Sequence, residues 1–154
     1  MFKLIVAFDK EKTIGYNGWM PWDITDDLLH FKETTLNSNI IMGSTTFNGL
    51  PGPLPKRTTY VLSSKPVVES DQLKWIGNLD DFIQQHQNSD EIFYVCGGAQ
   101  VYKQFLPYVN EMIVSLVHGD WPSDTKFPDF KDEVFTITTL KEYPDFTVKS
   151  YKRK

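Results

Sequence analysis

The chain has 154 residues, of which 40% are hydrophobic, 14% aromatic and 23% charged. This composition is typical of a globular protein and argues against disorder or low complexity, and the length predicts one domain spanning residues 1–154. A net charge of −4 argues against general nucleic-acid binding, which needs a basic surface to neutralise phosphates, although local basic residues still permit a small anionic ligand.

The cysteine and histidine content indicates the cellular compartment and whether a metal site is expected. Cys96 is the only cysteine, so no disulfide can form within the chain, as expected in a reducing compartment. Segment 4–8 is too short for a signal-peptide core or a membrane span. The three histidines, 30, 86 and 118, lack ligand spacing. We therefore expect a cytoplasmic protein with no metal site and no membrane partner.

The chain begins with a strand followed by a long loop. Residues 2–8 form a nearly continuous apolar run, which predicts a central strand covered on both faces. Residues 9–23 contain glycine and proline but no periodicity, and loops of this length often serve as lids. Trp19 and Met20 in this loop either cover a ligand or fill a hole in the core, and the sequence leaves both interpretations open.

A helix is predicted over residues 25–36, with Thr25 as its cap. Its apolar face has side chains at near-helical spacing, namely Ile24, Leu28, Phe31 and Thr35. Asp26 falls on the polar face, whereas Asp27 lies at the apolar edge. A carboxylate beside apolar side chains is costly to desolvate and indicates a functional site. The alternative is a first-turn acid that stabilises the helix dipole.

Hydroxyl-bearing residues follow two further predicted strands, 39–43 and 58–64. Ser44, Thr45 and Thr46 stand where a helix begins, where free N–H groups can hold a phosphate. Ser63, Ser64 and Lys65 close the second strand, and ligands of open α/β sheets bind beyond that edge. An ordinary turn explains residues 63–65 equally well.

Strand 91–96 runs directly into a Gly-Gly pair and a helix that continues through Leu106. Glycines at a helix start leave N–H groups unhindered, which suits a phosphate. The signal is weak by itself, because neither a G-x-G-x-x-G nor a P-loop motif is present. The remaining predicted elements are a strand at 72–76, a helix at 79–87 capped by Asn78, a strand at 112–118, a loop at 119–133 and a hairpin of 134–140 with 146–154.

Alternating strands and helices, anion-suited strand ends and a half-buried acid predict a small α/β domain that binds a nucleotide beside a second polar ligand. The chain also carries, in order, the segments Ile14-Gly15, Met20-Pro21-Trp22, Asp27-Leu28, Phe31-Lys32, Ile41-Met42-Gly43, Pro53-Leu54-Pro55 with Arg57, Leu62-Ser63-Ser64, Gly97-Gly98-Ala99-Gln100-Val101-Tyr102 and Asp124-Thr125-Lys126-Phe127-Pro128. In this order and spacing they resemble bacterial dihydrofolate reductase across essentially the whole chain.

The resemblance implies a mostly parallel eight-stranded sheet with flanking helices and an antiparallel C-terminal strand. It implies reduction of 7,8-dihydrofolate to tetrahydrofolate by hydride from NADPH, in a monomer. Asp27 is then the residue that accepts two hydrogen bonds from the pterin and favours protonation of its N5. Trp22 positions a water, Tyr102 lies near the hydride-donating carbon, and Met20 closes the lid.

The resemblance carries the binding residues over position by position. Arg57 is expected to pair with the α-carboxylate of the folate tail, because a planar fork suits a carboxylate. The implied substrate residues are Ile5, Asp27, Leu28, Phe31, Leu50, Leu54, Arg57, Cys96 and Ser115. The implied cofactor residues are Ala7, Ile14, Gly15, Ser44, Thr45, Thr46, Leu62, Ser63, Ser64, Lys65, Gly97, Gly98, Ala99, Gln100, Val101 and Tyr102.

One departure from the family concerns Ser44. Many relatives have an arginine here that contacts the cofactor 2′-phosphate, so we expect a weaker preference for NADPH over NADH, partly compensated by Lys65. Two other functions compete with this interpretation: a same-fold reductase of another heterocycle, as in riboflavin synthesis, and a folate- or nucleotide-binding module without turnover. Trp22, Asp27 and Tyr102 together argue against the binding module.

Overall fold

The computed structural model describes residues 1–154, and one eight-stranded sheet runs through it. Its strands are β1 (Phe2–Phe8), β3 (Asn39–Gly43), β4 (Thr58–Leu62), β5 (Leu73–Ile76), β6 (Phe93–Val95), β7 (Val109–Val117), β9 (Phe135–Glu142) and β10 (Phe146–Arg153). The strand order is β5-β4-β3-β6-β1-β7-β10-β9. Neighbouring strands are parallel except that β10 is antiparallel to both β7 and β9. The predicted fold class is confirmed.

Four α-helices flank the sheet: α1 (Thr25–Thr35), α2 (Ser44–Asn48), α3 (Leu79–His86) and α4 (Ala99–Phe105). Short 3-10 helices span Leu106–Tyr108 and Asp132–Val134. The predicted cap of α3 is confirmed, since the Asn78 side chain accepts a hydrogen bond from the Asp81 N–H. No helix is long and apolar enough to cross a membrane.

The core lies on both faces of the central strands. Phe2 and Leu4 of β1 are fully buried, and Phe2 packs against the rings of Phe93 and Phe105. This explains why β1 is a continuous apolar run rather than an alternating one: helices or loops cover both of its faces. β1 is thereby held rigidly in the middle of the sheet, between β6 and β7.

Three local predictions need correction. The long loop 9–23 and the loop 119–133 each contain a short strand, β2 (Thr13–Gly15) and β8 (Thr125–Lys126), and these pair antiparallel with each other. Such a pairing joins segments over a hundred residues apart, which local periodicity does not report. At α1 the N-cap is Ile24 and makes no side-chain capping bond, so Thr25 is the first helical residue rather than the cap.

Candidate active site

A cavity of about 500 Å³ opens where β1, β3 and β6 end. α1 and the loop before it form one wall, and the starts of α2 and α4 form the opposite wall. Parallel strands end together at one edge of a sheet, and ligands of open α/β folds bind there. The cavity is lined mainly by apolar side chains with few polar groups, as is typical of a small-molecule site.

Asp27 is the carboxylate in this cavity. It is only 7% exposed, although it stands in the first turn of α1. Thr35 is the other buried residue of the helix, whereas Leu28 is 49% exposed because it borders the open cavity rather than the core. The apolar face predicted for α1 therefore borders the cavity at Leu28 instead of packing in the core. The prediction that Asp27 differs from Asp26 is confirmed by exposure, since Asp26 lies in solvent.

Burial raises the pKa of Asp27 above its usual range. A hydrogen bond from Ser115 and the nearby His30 each oppose this rise in pKa in part. Ser115 reaches the site because β7 lies beside β1, with Ser115 opposite Ala7 in the register. A raised pKa at a cavity-lining carboxyl is typical of groups that bind or transfer protons.

The indole of Trp22 is buried beside this carboxylate-bearing helix. Trp22 is 3% exposed and packs edge-on against Trp121, with ring centroids 5.7 Å apart. Its Nε1–H has no acceptor within the protein. Because an unsatisfied buried N–H is costly, this donor is suited to an ordered water or a ligand.

Tyr102 and Cys96 line the far wall of the cavity. The Tyr102 hydroxyl donates a hydrogen bond of 2.8 Å to the Ile5 carbonyl, and burial raises its pKa well above the usual value. Burial likewise raises the pKa of the Cys96 thiol, which contacts the Tyr94 carbonyl at 3.3 Å. A protonated, buried thiol is a poor nucleophile, in agreement with a place in the pocket wall.

The Gly-Gly segment and the start of α2 form one wall together. The Gly43 N–H donates to the Gly97 carbonyl at 3.0 Å, so the ends of β3 and β6 are tied to each other. A Cβ added at Gly98 would lie 3.5 Å from the Thr46 hydroxyl oxygen. Neither glycine places a side chain between these two loops, which lets a phosphate approach backbone N–H groups beside the Thr46 hydroxyl.

Gly97 has φ of +120°, a conformation that L side chains rarely adopt. We expect Gly97→Ala to lower the free energy of unfolding by about 1–3 kcal/mol through backbone strain. The added Cβ meets nothing closer than the Tyr102 hydroxyl at 3.5 Å, so no steric clash contributes. Urea denaturation measures the effect. Gly52→Ala is the matched control, because a Cβ there meets nothing within 4 Å and the φ is not positive; equal stability of the two variants would contradict the prediction.

The lid loop is held against the segment that contains β8. The Asn17 N–H donates to the Asp124 carboxylate at 2.9 Å, and the Asp124 N–H donates to the Gly15 carbonyl at 3.1 Å. Trp19 is 62% exposed and borders the cavity, so it does not fill a hole in the core, and Met20 is half-buried beside it. Of the two interpretations of this pair, the structure favours the cover over a ligand.

Arg57 is a buried cation without a carboxylate partner. It is 6% exposed, and its guanidinium donates to the Thr35 hydroxyl at 2.9 Å and to the Pro55 and Lys32 carbonyls at 2.8 and 3.2 Å. These bonds use three of its five N–H donors, leaving one on each terminal nitrogen. Burial lowers the pKa of Arg57. A fixed cation with an unused donor on each terminal nitrogen is suited to a carboxylate.

The cavity brings together eighteen of the predicted site residues. They are Ile5, Ala7, Ile14, Gly15, Met20, Asp27, Leu28, Phe31, Thr45, Thr46, Leu50, Leu54, Cys96, Gly97, Gly98, Ala99, Tyr102 and Ser115. The predicted residues outside its lining are Trp22, Ser44, Arg57, Leu62, Ser63, Ser64, Lys65, Gln100 and Val101. Among these, Val101 is 6% exposed and packs in the core, so only its backbone is available to a ligand.

Sequence reasoning did not assign seven further lining residues to the site. They are Val6, Gly18, Trp19, His30, Met42, Gly49 and Thr125. His30 carries a usable signal, because it follows Asp27 by three residues and therefore lies on the same side of the helix. The local sequence around Thr125 gives no such signal, because only the pairing of Thr125 with Gly15 brings it to the cavity. No group of three or more His, Cys, Asp or Glu side chains is arranged to hold a metal ion.

The chain was compared with known proteins. The family model for dihydrofolate reductase matches residues 1–153. Dihydrofolate reductase of Mycoplasma pneumoniae is 34% identical over 99% of this chain and 98% of its own length, and that of Buchnera aphidicola is 36% identical over 83% and 79%. The structure of Enterococcus faecalis dihydrofolate reductase, complexed with NADP(H) and RAB-propyl, superposes with a TM-score of 0.83 at 26% identity and covers 99% of this chain and 96% of that one.

Proposed function

The chain belongs to the dihydrofolate reductase family, and on that premise we propose how its own residues carry out the reaction. The activity is reduction of 7,8-dihydrofolate to 5,6,7,8-tetrahydrofolate with NADPH. The observation that carries the assignment of residues is Asp27, a buried carboxylate in a largely apolar cavity beside a glycine-lined cradle. Such a cavity offers one charged acceptor to the edge of a flat heterocycle whose ring faces contact apolar side chains.

Asp27 binds the pterin ring. A 2-amino-4-oxo pterin presents a ring N–H and an amino group side by side, and an ionised carboxylate accepts from both at once. The Ser115 hydroxyl holds the carboxylate from the side of β7. Leu28, Phe31, Leu50 and Leu54 supply the apolar walls that exclude water from the ring.

Proton delivery to N5 of the pterin involves Trp22 and Asp27. The unpartnered Nε1–H of Trp22 is suited to orient a water, and the neighbouring carboxylate favours the protonated form of N5 by its negative charge. The raised pKa of Asp27 brings its ionisation closer to neutrality, where proton transfer by a carboxyl group is most effective. Met20, half-buried at the edge of the lid, limits the access of bulk water.

The wall opposite Asp27 fits NADPH, which supplies the hydride when it is bound. Gly97 and Gly98 carry no side chain, so they and the hydroxyls of Thr45 and Thr46 across from them accommodate a pyrophosphate near backbone N–H groups. Ala7 and Ile14 border the cavity at the end of β1 and in β2, where their backbones are available to a carboxamide. Tyr102 stands behind this wall, oriented by its bond to the Ile5 carbonyl.

The 2′-phosphate of the cofactor is bound by Ser64 and Lys65. Both are exposed after β4, and the Lys65 N–H donates to the Ser63 hydroxyl at 3.1 Å, which shapes a turn there. Ser44, at the start of α2, carries no charge. Lys65 is therefore the single cation among the residues proposed for this phosphate.

We expect this enzyme to prefer NADPH over NADH less strongly than an arginine-bearing relative does. Ser44→Arg should increase the preference for NADPH. One charge-assisted hydrogen bond contributes about 1.5–3 kcal/mol, so the ratio of kcat/KM for NADPH to that for NADH should rise roughly 10- to 100-fold. Steady-state kinetics with both cofactors measure the ratio. Asn48→Arg, at the other end of the same short helix, is the matched control for an added surface cation, and an equal rise there would contradict the prediction.

The direct test of the function is loss of reduced-nicotinamide absorbance when dihydrofolate is added to the purified protein. Oxidation that depends on dihydrofolate, faster with NADPH than with NADH, is the expected result. Binding of both ligands by folded protein without oxidation would instead favour a non-catalytic binding module or a reductase of another heterocycle.

The proposal extends to assembly and partners. The enzyme is a monomer, as the resemblance to the family implies, and residues 1–154 form one catalytic domain. The net charge of −4 supports the absence of a nucleic-acid partner. The single cysteine supports a cytoplasmic location. Analytical ultracentrifugation at micromolar concentration measures the oligomeric state, and a stable dimer would overturn the proposed monomer.

A further inference from the structure

His30 is an ionisable group in the substrate pocket to which the proposed mechanism gives no part. It lies one helical turn after Asp27 on α1 and borders the same cavity. Side chains three residues apart on a helix are neighbours, with Cβ atoms roughly 5–6 Å apart. The pocket wall therefore carries two titratable side chains in adjacent positions rather than one carboxylate alone.

The imidazole has few partners inside the protein. Its Nδ1 is 3.5 Å from the Thr34 hydroxyl, at the limit of a hydrogen bond, and its Nε2 is buried without any partner. A well-packed structural histidine normally has both ring nitrogens satisfied. His86 differs in its surroundings, because its ring packs between Phe82 and Phe93 at centroid distances of 4.5 and 4.8 Å, away from the cavity.

We propose that His30 is a positioning residue for the substrate: its imidazole and the Asp27 carboxylate form one ionising pair, and a proton held on His30 keeps the carboxylate charged for the pterin. The inference rests on the proposed function in that the pterin is bound by ionised Asp27. In the pair, the charge on each group shifts the pKa of the other, so the two titrations are coupled.

The groups around the pair set the pH range of this arrangement, because the net effect is a lowered pKa of His30 and the imidazole therefore holds its proton only in acid. Burial lowers the pKa of His30, and Lys141 of β9 lowers it further, whereas Asp27 and Glu33 on its own helix raise the pKa. For Asp27, burial raises the pKa, and Ser115 and His30 lower it. Asp27 thus raises the pKa of His30, and His30 lowers the pKa of Asp27. Thermodynamic linkage requires these two shifts to be equal in size.

The test is NMR titration of the enzyme without ligands, following the Asp27 carboxyl carbon and the His30 ring proton. In His30→Gln the pKa of Asp27 should rise by about half a unit or more, since an opposite charge at this range lowers a carboxyl pKa. In Asp27→Asn the pKa of His30 should fall by the same amount. His118→Gln, an exposed histidine bonded to Pro144 and Thr147, is the matched control and should leave the pKa of Asp27 unchanged.

Kinetics give a second readout. Below the pKa of Asp27, half a unit corresponds to about a threefold loss of ionised carboxylate, so KM for dihydrofolate in His30→Gln should be about threefold higher there and equal to wild type at pH 8. KM for NADPH should not change. A merely structural histidine would instead raise KM equally at every pH, and that result would overturn the proposal.

A third variant guards against misfolding of the helix variants. Lys141 is exposed on β9 and lowers the pKa of His30, so Lys141→Gln should fold normally and raise the pKa of His30. An unchanged pKa of His30 in this variant, or unequal shifts in the reciprocal pair, would overturn the proposal. Because the titrations need no turnover, coupled shifts in a protein that does not oxidise NADPH with dihydrofolate would refute the proposed function and leave the coupling established.

Discussion

Asp27→Asn is expected to lower kcat/KM for dihydrofolate by about 10²–10⁴ near neutral pH, the usual contribution of a group that binds the reacting ring and assists proton transfer. The amide offers one acceptor and one donor where the carboxylate offers two acceptors, so one of the two pterin donors is left opposite an N–H. The dissociation constant of NADPH should stay nearly the same, because the cofactor cradle lies on the opposite wall of the cavity. Steady-state kinetics and fluorescence titration with NADPH measure the two effects.

The same variant should be more stable than the wild type at neutral pH. Burial raises the pKa of Asp27 above its unfolded value, so the stabilising contribution of the carboxyl group is present below the unfolded pKa and is lost as the pH rises through the folded pKa. Asparagine does not ionise and avoids this loss. The difference in melting temperature should shrink in acid.

Asp26→Asn is the matched control for the activity of Asp27→Asn, because Asp26 is exposed on the same turn. A similar loss of activity in Asp26→Asn would show that the wrong acid has been assigned.

Arg57→Leu is expected to raise KM for dihydrofolate roughly 10²–10⁴-fold, since two charge-assisted hydrogen bonds of about 1.5–3 kcal/mol each are lost. kcat at saturation should change little, because the folate tail lies away from the reacting ring. Arg57 is buried and bonded to Thr35, Pro55 and Lys32, so some loss of stability accompanies the change and is measured separately by thermal melting.

A truncated substrate separates the two effects of this variant. Dihydropteroate lacks the glutamate, so its KM should be the same for wild type and Arg57→Leu if the guanidinium binds the tail carboxylate. Lys56→Gln is the control for charge, because Lys56 is exposed next in sequence. An equal rise of KM for both substrates would show that Arg57 supports the structure and does not bind the tail carboxylate.

Local pattern was sufficient for most of the fold. The apolar strands β1 and β7, the Asn78 cap and the final hairpin all follow from periodicity and turn chemistry within a few residues. The same information predicted that Asp27 differs from Asp26, because the two lie about 100° apart around the helix axis. The ordered motifs of the whole chain then indicated the family.

Other features depended on contacts between distant segments. The pairing of β2 with β8, the placement of Ser115 opposite Ala7 and the closure of the cradle by Gly43 and Gly97 each join residues far apart in the chain. Helical periodicity placed Leu28 on the apolar face of α1, and only the structure showed that this face borders the cavity there and leaves Leu28 exposed. The sequence by itself thus determined the elements of the main sheet, its helices and the candidate chemistry, because these follow from local residue order. Only the tertiary structure decided burial and partnership, because both depend on which segments the topology brings together.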